Sequence, residues 1–290
     1  MTMPTYKSER LFQFCNGLVL VLFCVTMIAP FIHLTAVSLS SVKYADAKVV
    51  YFWPKGFNLD VYKEIFGLER LWRSFGISVY ICVVGTFLFL LLCSMMAYAL
   101  SRPRMPGRKL VLKGILVTFV FTSPLIPNYM LIKTLGMENT LWALMVPNAV
   151  GAFSIIIMKT FFQGISAELF DASRIDGSSE YNTYARIAIP LSAPVLATLA
   201  LFHVVGLWNS YFNALIYLRD KDLFPLQVVL RSLIIASDAS LEATGDVPTT
   251  ATPEMMKAGL ILVSTVPILF VYPFLQKYFV KGAMLGSLKE

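Results

Sequence analysis

Six apolar stretches, each long enough to cross a bilayer, run along this chain, and no other feature restricts its fold as much. They are Asn16–Val37, Ile77–Leu100, Val111–Leu131, Leu141–Phe162, Ala193–Leu218 and Ala258–Phe279. About twenty apolar residues in a helix cross the hydrocarbon core. Within that core only helices and closed barrels satisfy their own backbone groups. The short alternating segments of a barrel do not occur in the sequence. The chain therefore reads as an all-α integral membrane protein with six transmembrane helices. Composition agrees: 14% of the residues are charged, against about a quarter in soluble domains. Residues 1–290 read as a single transmembrane domain, with no soluble domain and no internal repeat.

Lys and Arg placement sets the orientation. The short connection Ser101–Lys109 carries Arg102, Arg104, Arg108 and Lys109, and the tail from Lys277 carries Lys281 and Lys289. Both belong in the cytosol, which puts the N- and C-termini there too. Met1–Phe12 is polar, with Lys7 and Arg10, and the apolar run after it continues past Pro30. That is an uncleaved first span rather than a secretory signal. Basic residues beside the membrane account for the net charge of +7 without any nucleic acid. Cys15, Cys24, Cys82 and Cys93 lie in or beside apolar spans with no CxxC spacing, so they read as free, small apolar residues.

Two external loops are expected, over 38–73 and 219–254. In the first, Trp53 and its aromatic neighbours suit the membrane–water interface, and Asn58 or Asp60 can cap a short helix through Ile65. Pro124 and Pro127 interrupt the third span, with Asn128 expected between the helix halves.

A polar island, Ser166–Pro194 (SAELFDASRIDGSSEYNTYARIAIPLSAP), sits in the connection over 163–192 between spans four and five. Ser166 can cap a helix whose first turn holds Glu168. Leu169, Ala172, Ser173 and Asp176 follow at helical spacing, and Gly177 is placed for the left-handed turn that ends a helix. Ser178 or Ser179 can cap the next helix, with Glu180 in its first turn and Tyr184, Ile187 and Ala188 along one side. Pro190 and Pro194 mark the return to the bilayer. A hairpin this short buries no core of its own. It must lie on the spans or dock into a partner's groove; a capped loop helix with no further role is the competing reading.

ELFDASRIDGSS followed by RIAIPLSAP resembles the EAA loop of ABC-importer permeases, whose pattern is Glu-Ala-Ala, then Gly, then Ile-x-Leu-Pro. Asp171, Ala172 and Ser173 occupy the Glu-Ala-Ala positions, Gly177 the glycine, and Ile187 and Pro190 the close, with Ile189 in place of leucine. The triplet Ile175–Gly177 is typical of the carbohydrate branch. WPKGFNLDVYKEIF, AYALSR, WNSYFNALIYL, FPLQVVLR and FLQKYFVKGAMLGSLKE extend the resemblance, to the maltose-type second permease, over nearly the whole chain.

The resemblance implies a permease subunit, not an enzyme, in the bacterial cytoplasmic (inner) membrane. It would move an oligosaccharide, in a branch associated with polysaccharide fragments and uronic-acid oligomers such as alginate. Its implied partners are a second homologous permease subunit, two ATPase subunits and an extracytoplasmic sugar-binding protein. This chain would hold no cofactor, ATP and Mg belonging to the partner ATPase. The hairpin would be the coupling helix, with Glu168, Asp171, Ala172, Ser173, Asp176, Gly177, Ile187 and Pro190 transmitting ATPase closure to the spans. The tail Gln276–Lys289 would reach the ATPase pair. The loop Ser237–Thr252 would touch the binding protein, or is a plain surface loop.

What the chain lacks agrees. No glycine is followed by Lys and then Ser or Thr, so there is no P-loop to cradle phosphates. There is no HExxH, and His203 reads as a hydrogen-bonded histidine of a span. None of the seventeen acidic residues falls inside an expected span. Proton- and sodium-coupled carriers commonly place a carboxylate there. A secondary sugar carrier without an ATPase remains the alternative. For a substrate pathway, span five offers Trp208, Asn209, Ser210, Tyr211 and Asn213, and span three offers Ser123, Asn128 and Tyr129. The same residues serve equally well as polar glue between helices.

Overall fold

The computed structural model describes residues 7–121, 123–243 and 251–287. All regular structure among them is helical. The helices are α1 (Lys7–Ser38), α2 (Val42–Asp46), α3 (Asp60–Gly67), α4 (Glu69–Ser101), α5 (Arg108–Val120), α6 (Leu125–Thr134), α7 (Trp142–Met145), α8 (Ala152–Gln163), α9 (Ala167–Ile175) and α10 (Glu180–Thr183). A π-helical turn (Tyr184–Ala188) leads into α11 (Ile189–Leu191), α12 (Ala193–Trp208), α13 (Phe212–Tyr217), α14 (Leu226–Ala243) and α15 (Pro253–Ser287).

Three helical stretches are long and apolar enough to cross a membrane alone: Leu11–Ser38, Glu69–Ser101 and Pro253–Phe270. Two further pairs qualify if each bent pair is one span: Ala152–Gln163 with Ala167–Ile175, bent by 73°, and Glu180–Leu191 with Ala193–Trp208, bent by 78°.

Three expected spans are less regular than their hydropathy. The break in the third falls between α5 and α6, and Asn128 lies in the first turn of α6 rather than between the halves. Pro124 closes that gap in extended conformation. The fourth, expected to be continuous, is α7 and α8 with an irregular link. Pro147 in the link has no N–H to continue α7, and Gly151 is extended. The fifth breaks after Trp208 and resumes at Phe212. Asn209 and Ser210 fall in this break, and such side chains compete with helical hydrogen bonding. The expected external loop over 219–254 also departs from expectation, because its middle forms α14, an 18-residue helix. Of the segment Ser237–Thr252, residues 244–250 lie outside the described residues, as do the side chains of the tail from Gln276 and all of residues 288–290.

The chain divides into two compact units. The first comprises the chain up to Glu69 and Leu230–Val266. Its α1 exposes Leu11, Phe14, Leu18 and Leu22, as a lipid-facing span does. After α1, Ser38 Oγ meets Tyr62 Oη at 2.8 Å, and His33 Nδ1 donates to Tyr51 O at 2.7 Å. The cap of α3 is Leu59, not Asn58 or Asp60; Asn58 Oδ1 instead accepts the Asp60 N–H at 2.8 Å in an Asx turn that leads into the helix.

The second unit comprises Arg70–Val229 and the chain from Pro267. Its core joins Phe89, Cys93, Ala97 and Leu100 of α4 to Ile155, Met158 and Phe162 of α8 and to Val195 and Leu199 of α12. Phe170 and Ala188 of the polar hairpin belong to the same cluster. Cys82 and Cys93 are buried, and all four cysteines are free.

Candidate coupling site and cavity

The hairpin over 166–192 closes as its sequence dictates. Ser166 Oγ accepts the Glu168 N–H at 3.3 Å at the start of α9. At the other end Gly177 adopts φ +74°. Its N–H donates to Arg174 O, and the Ser178 N–H donates to Ser173 O, both at 3.0 Å. This pair of bonds is the Schellman closure. Ser179, rather than Ser178, caps α10, its Oγ accepting the Asn182 N–H at 3.2 Å.

Two links tie the arms together. Buried Ser173 Oγ and Thr183 Oγ1 lie 2.7 Å apart. Arg174 bridges Asp171 at 3.3 Å and Glu180 at 3.2 Å. Partial burial pushes the Glu180 carboxyl up, but hydrogen bonds from Tyr98 and Arg174 and the charges of Arg174 and Arg102 outweigh it and hold the group below its ordinary range. The same pairing with Glu180, aided by Asp171, raises Arg174 further.

One side of the hairpin is seated on the end of α4. Tyr98 Oη donates to Glu180 Oε2 at 2.9 Å, and Tyr184 Oη meets Ser94 Oγ at 2.7 Å. The Arg102 guanidinium lies 3.5 Å from the Phe170 ring centroid and 4.2 Å from that of Tyr98. Such cation–π contacts contribute about 0.5–2 kcal/mol each, most where water is excluded. The other side presents Ile175, 87% exposed, and exposed Leu169. Tyr181 is exposed too, but on the α4 side, its ring 6.4 Å from that of Tyr184 and lining a cavity with Tyr98 and Arg102.

The residues expected to couple to a partner thus fall into two groups. Glu168, Asp171, Ala172, Asp176 and Gly177 are exposed, and so is Pro190. Ser173 is buried between the arms, and Ile187 packs half-buried against the core. Sequence reasoning missed Ser94, Tyr98, Arg102 and Thr183. Ser94 and Tyr98, four residues apart, share a face of α4, and Arg102 follows just past its end. AYALSR supplies Tyr98 and Arg102, and that spacing was the available signal.

The expected pathway residues separate in space. Asn209, Tyr211 and Asn213 line one cavity of about 590 Å³ with Ser210, Asn148, Phe202, Phe212 and His203. Trp208 is buried and lines a different, apolar cavity with Phe75 and Phe87. Its ring meets Phe75 edge-on at 5.9 Å. Asn128 and Tyr129 line neither cavity. Tyr129 Oη donates to Glu138 Oε1 at 2.6 Å, and its ring stacks on Tyr217. Arg219 also donates to Glu138, at 2.6 Å. These contacts hold the Glu138 carboxyl below its ordinary range, the Tyr129 hydrogen bond most of all.

His203 is held on three sides. Its Nε2–H donates to Asn148 O at 3.1 Å, Nδ1 accepts from Thr86 Oγ1 at 3.1 Å, and the ring stacks on Phe89 at 4.0 Å. This is the hydrogen-bonded histidine that the sequence predicts. Among the described residues, no three His, Cys, Asp or Glu side chains group to hold a metal.

Residues 106–284 match the family described as the binding-protein-dependent transport system inner membrane component, and the chain belongs to that family. The resemblance to ABC-importer permeases is borne out. Among individual relatives, the chain is similar to protein LplC of Bacillus subtilis, 43% identical over 99% of this chain and 98% of the relative. It is also similar to the polygalacturonan/rhamnogalacturonan transport system permease protein YtcP of Bacillus subtilis, 39% identical over 97% of this chain and 99% of the relative. Among solved structures, a bacterial ABC transporter involved in the import of the acidic polysaccharide alginate aligns with a TM-score of 0.88 and 29% identity, over 96% of this chain and 100% of that one. The bacterial alginate ABC transporter in complex with alginate pentasaccharide-bound periplasmic protein aligns at 0.56 and 14% identity, over 93% of each chain, a likeness of fold alone.

Proposed function

We propose that this chain is the transmembrane permease subunit of a binding-protein-dependent ABC importer that moves an oligosaccharide into the cytoplasm. It works as one domain of six spans with both termini in the cytosol. It pairs with a second homologous permease, two ATPase subunits that bind ATP and Mg, and an extracytoplasmic sugar-binding protein. The observation that carries this reading is the two-sided hairpin. One side is fixed to the end of α4 through Tyr98, Arg102 and Tyr184, and the other offers Leu169 and Ile175 to a partner. An ATPase that closes under the exposed side moves α4 through the fixed side. Glu168, Asp171, Ala172, Asp176 and Gly177 face the partner. Ser173, Ile187 and Pro190 hold the hairpin's shape and its return to the bilayer.

The substrate class follows from similarity. A relative is named for polygalacturonan and rhamnogalacturonan, and a structural neighbour for alginate. All three are polymers containing uronic acids, so an oligosaccharide bearing carboxylates is the proposed cargo. The cavity beside Asn209 is its path. The test is uptake of labelled oligogalacturonate into proteoliposomes containing the chain and its partners. Uptake should require ATP on the ATPase side. Uptake by this chain alone, with neither ATPase nor ATP, would instead make it a secondary carrier.

A further inference from the structure

We infer that the cavity between the end of α4 and the hairpin binds the phosphate headgroup of an anionic phospholipid, whose acyl chain lies along α4. This goes beyond the importer reading and does not depend on it. The two share only the orientation, which puts this end of α4 at the cytosolic face.

Charge is the first argument. The cavity, of about 490 Å³, is lined by Arg102, Arg104, Arg174, Glu180 and Tyr181 among others. Glu180 is the sole carboxylate of the lining, and it is already held by Arg174 and Tyr98. Asp171 pairs with the same Arg174 from outside the cavity. Arg102 and Arg104 remain, and neither forms an ion pair among the described residues. The Arg102 guanidinium lies against the rings of Tyr98 and Phe170, and its Nε and Nη2 are buried and hydrogen-bonded to nothing. A buried charge left unpaired is costly, and an anion brought near it offsets that cost. Arg104 is exposed, so an anion can reach it directly. Exposed Tyr181 adds a phenolic donor.

The second argument is what adjoins the cavity. Val83, Phe87, Leu91 and Met95 of α4 follow at four-residue spacing, and all are exposed. Neighbours at that spacing touch, so they form an apolar stripe that winds along the helix. Met95 lines the basic cavity, while Val83 and Phe87 line the apolar cavity beside Trp208. From Phe87 to Ser101 the helix rises about 21 Å. One leaflet with its headgroups is about 20–22 Å deep, half of the whole bilayer. A ligand that carries phosphate at one end and hydrocarbon over that length is a phospholipid. Arginine grips phosphate well, and basic cavities at the cytoplasmic ends of spans suit anionic headgroups.

The test is hydrogen–deuterium exchange of the full chain, with whatever partners it retains, in nanodiscs of pure phosphatidylcholine and of an equal mixture with phosphatidylglycerol. Phosphatidylglycerol should slow amide exchange in 102–108 and in α9 and α10 by about threefold to tenfold, the effect of one charge-assisted contact. Arg104→Gln should abolish that slowing and leave exchange in phosphatidylcholine unchanged. Arg104→Lys should keep most of it, because a point charge still binds phosphate. Inorganic phosphate added to phosphatidylcholine nanodiscs should not slow exchange. Equal exchange in the two lipids overturns the inference, and a partner protein seated over the cavity would produce that result. Slowing that survives Arg104→Gln overturns it as well. Slowing by inorganic phosphate alone makes the ligand a soluble anion and overturns the lipid assignment. ATPase retention and ATP-driven uptake are separate readouts, so failure here is distinguishable from failure of the importer reading.

Discussion

Gly177 carries its consequence in the backbone alone. At φ +74° nothing lies within 4 Å of where a Cβ would sit, so the position restricts conformation and not volume. A β-branched side chain in the left-handed region costs on the order of 1–2 kcal/mol, whereas Asn visits it readily. Gly177→Val should therefore reduce ATPase retention on purification, while Gly177→Asn retains it near the wild-type level. Equal loss in both would show that side-chain bulk, not backbone shape, governs docking. Ser173→Ala removes the buried bond between the arms and should cost about 1 kcal/mol, read as faster amide exchange in α9 and α10. Glu180 makes the hairpin acid-sensitive. Its folded carboxyl lies below the ordinary value of 4.5, so its stabilisation is full above that pH and is lost as pH falls through the depressed value. Proteolysis of the hairpin should rise below about pH 4 in the wild type, and Glu180→Gln should flatten that rise.

At the scale of elements, α4 is the member that the rest of the second unit is built around. A Cβ on Gly85 would fall 2.7 Å from Leu207 Cδ1 and 3.4 Å from Met145 Cγ, so α4 meets α12 and α7 with no room to spare. Gly85→Leu should destabilise by about 1–3 kcal/mol, as overpacking does, seen as a lower Tm in detergent. The helical character and the hairpin were legible in the sequence because each has a local cause: long apolar runs, capping serines and a glycine stop. The breaks at Pro147 and Asn209 were not legible, since hydropathy averages over a broken span as it does over a whole one. Nor was α14, whose apolar residues share their stretch of chain with many polar ones. The cavity was half legible. Asn209, Tyr211 and Asn213 are neighbours in sequence and remain so in space, whereas Asn148 and His203 reach it only through tertiary packing.

Across the whole molecule, the division of labour follows from which surfaces the chain satisfies by itself. It holds its hairpin with its own aromatic rings and ion pairs, yet leaves large apolar side chains exposed at the hairpin's outer side and along α1. Lipid covers the latter in the membrane. On the proposed orientation, the former faces the cytosol, where a soluble partner would cover it. The most direct measurement is affinity purification from native membranes in mild detergent, with mass spectrometry of the proteins retained. A soluble P-loop ATPase and a second, homologous permease should come with the chain. Recovery of the chain alone, under conditions that keep a known ABC importer intact, would contradict the account.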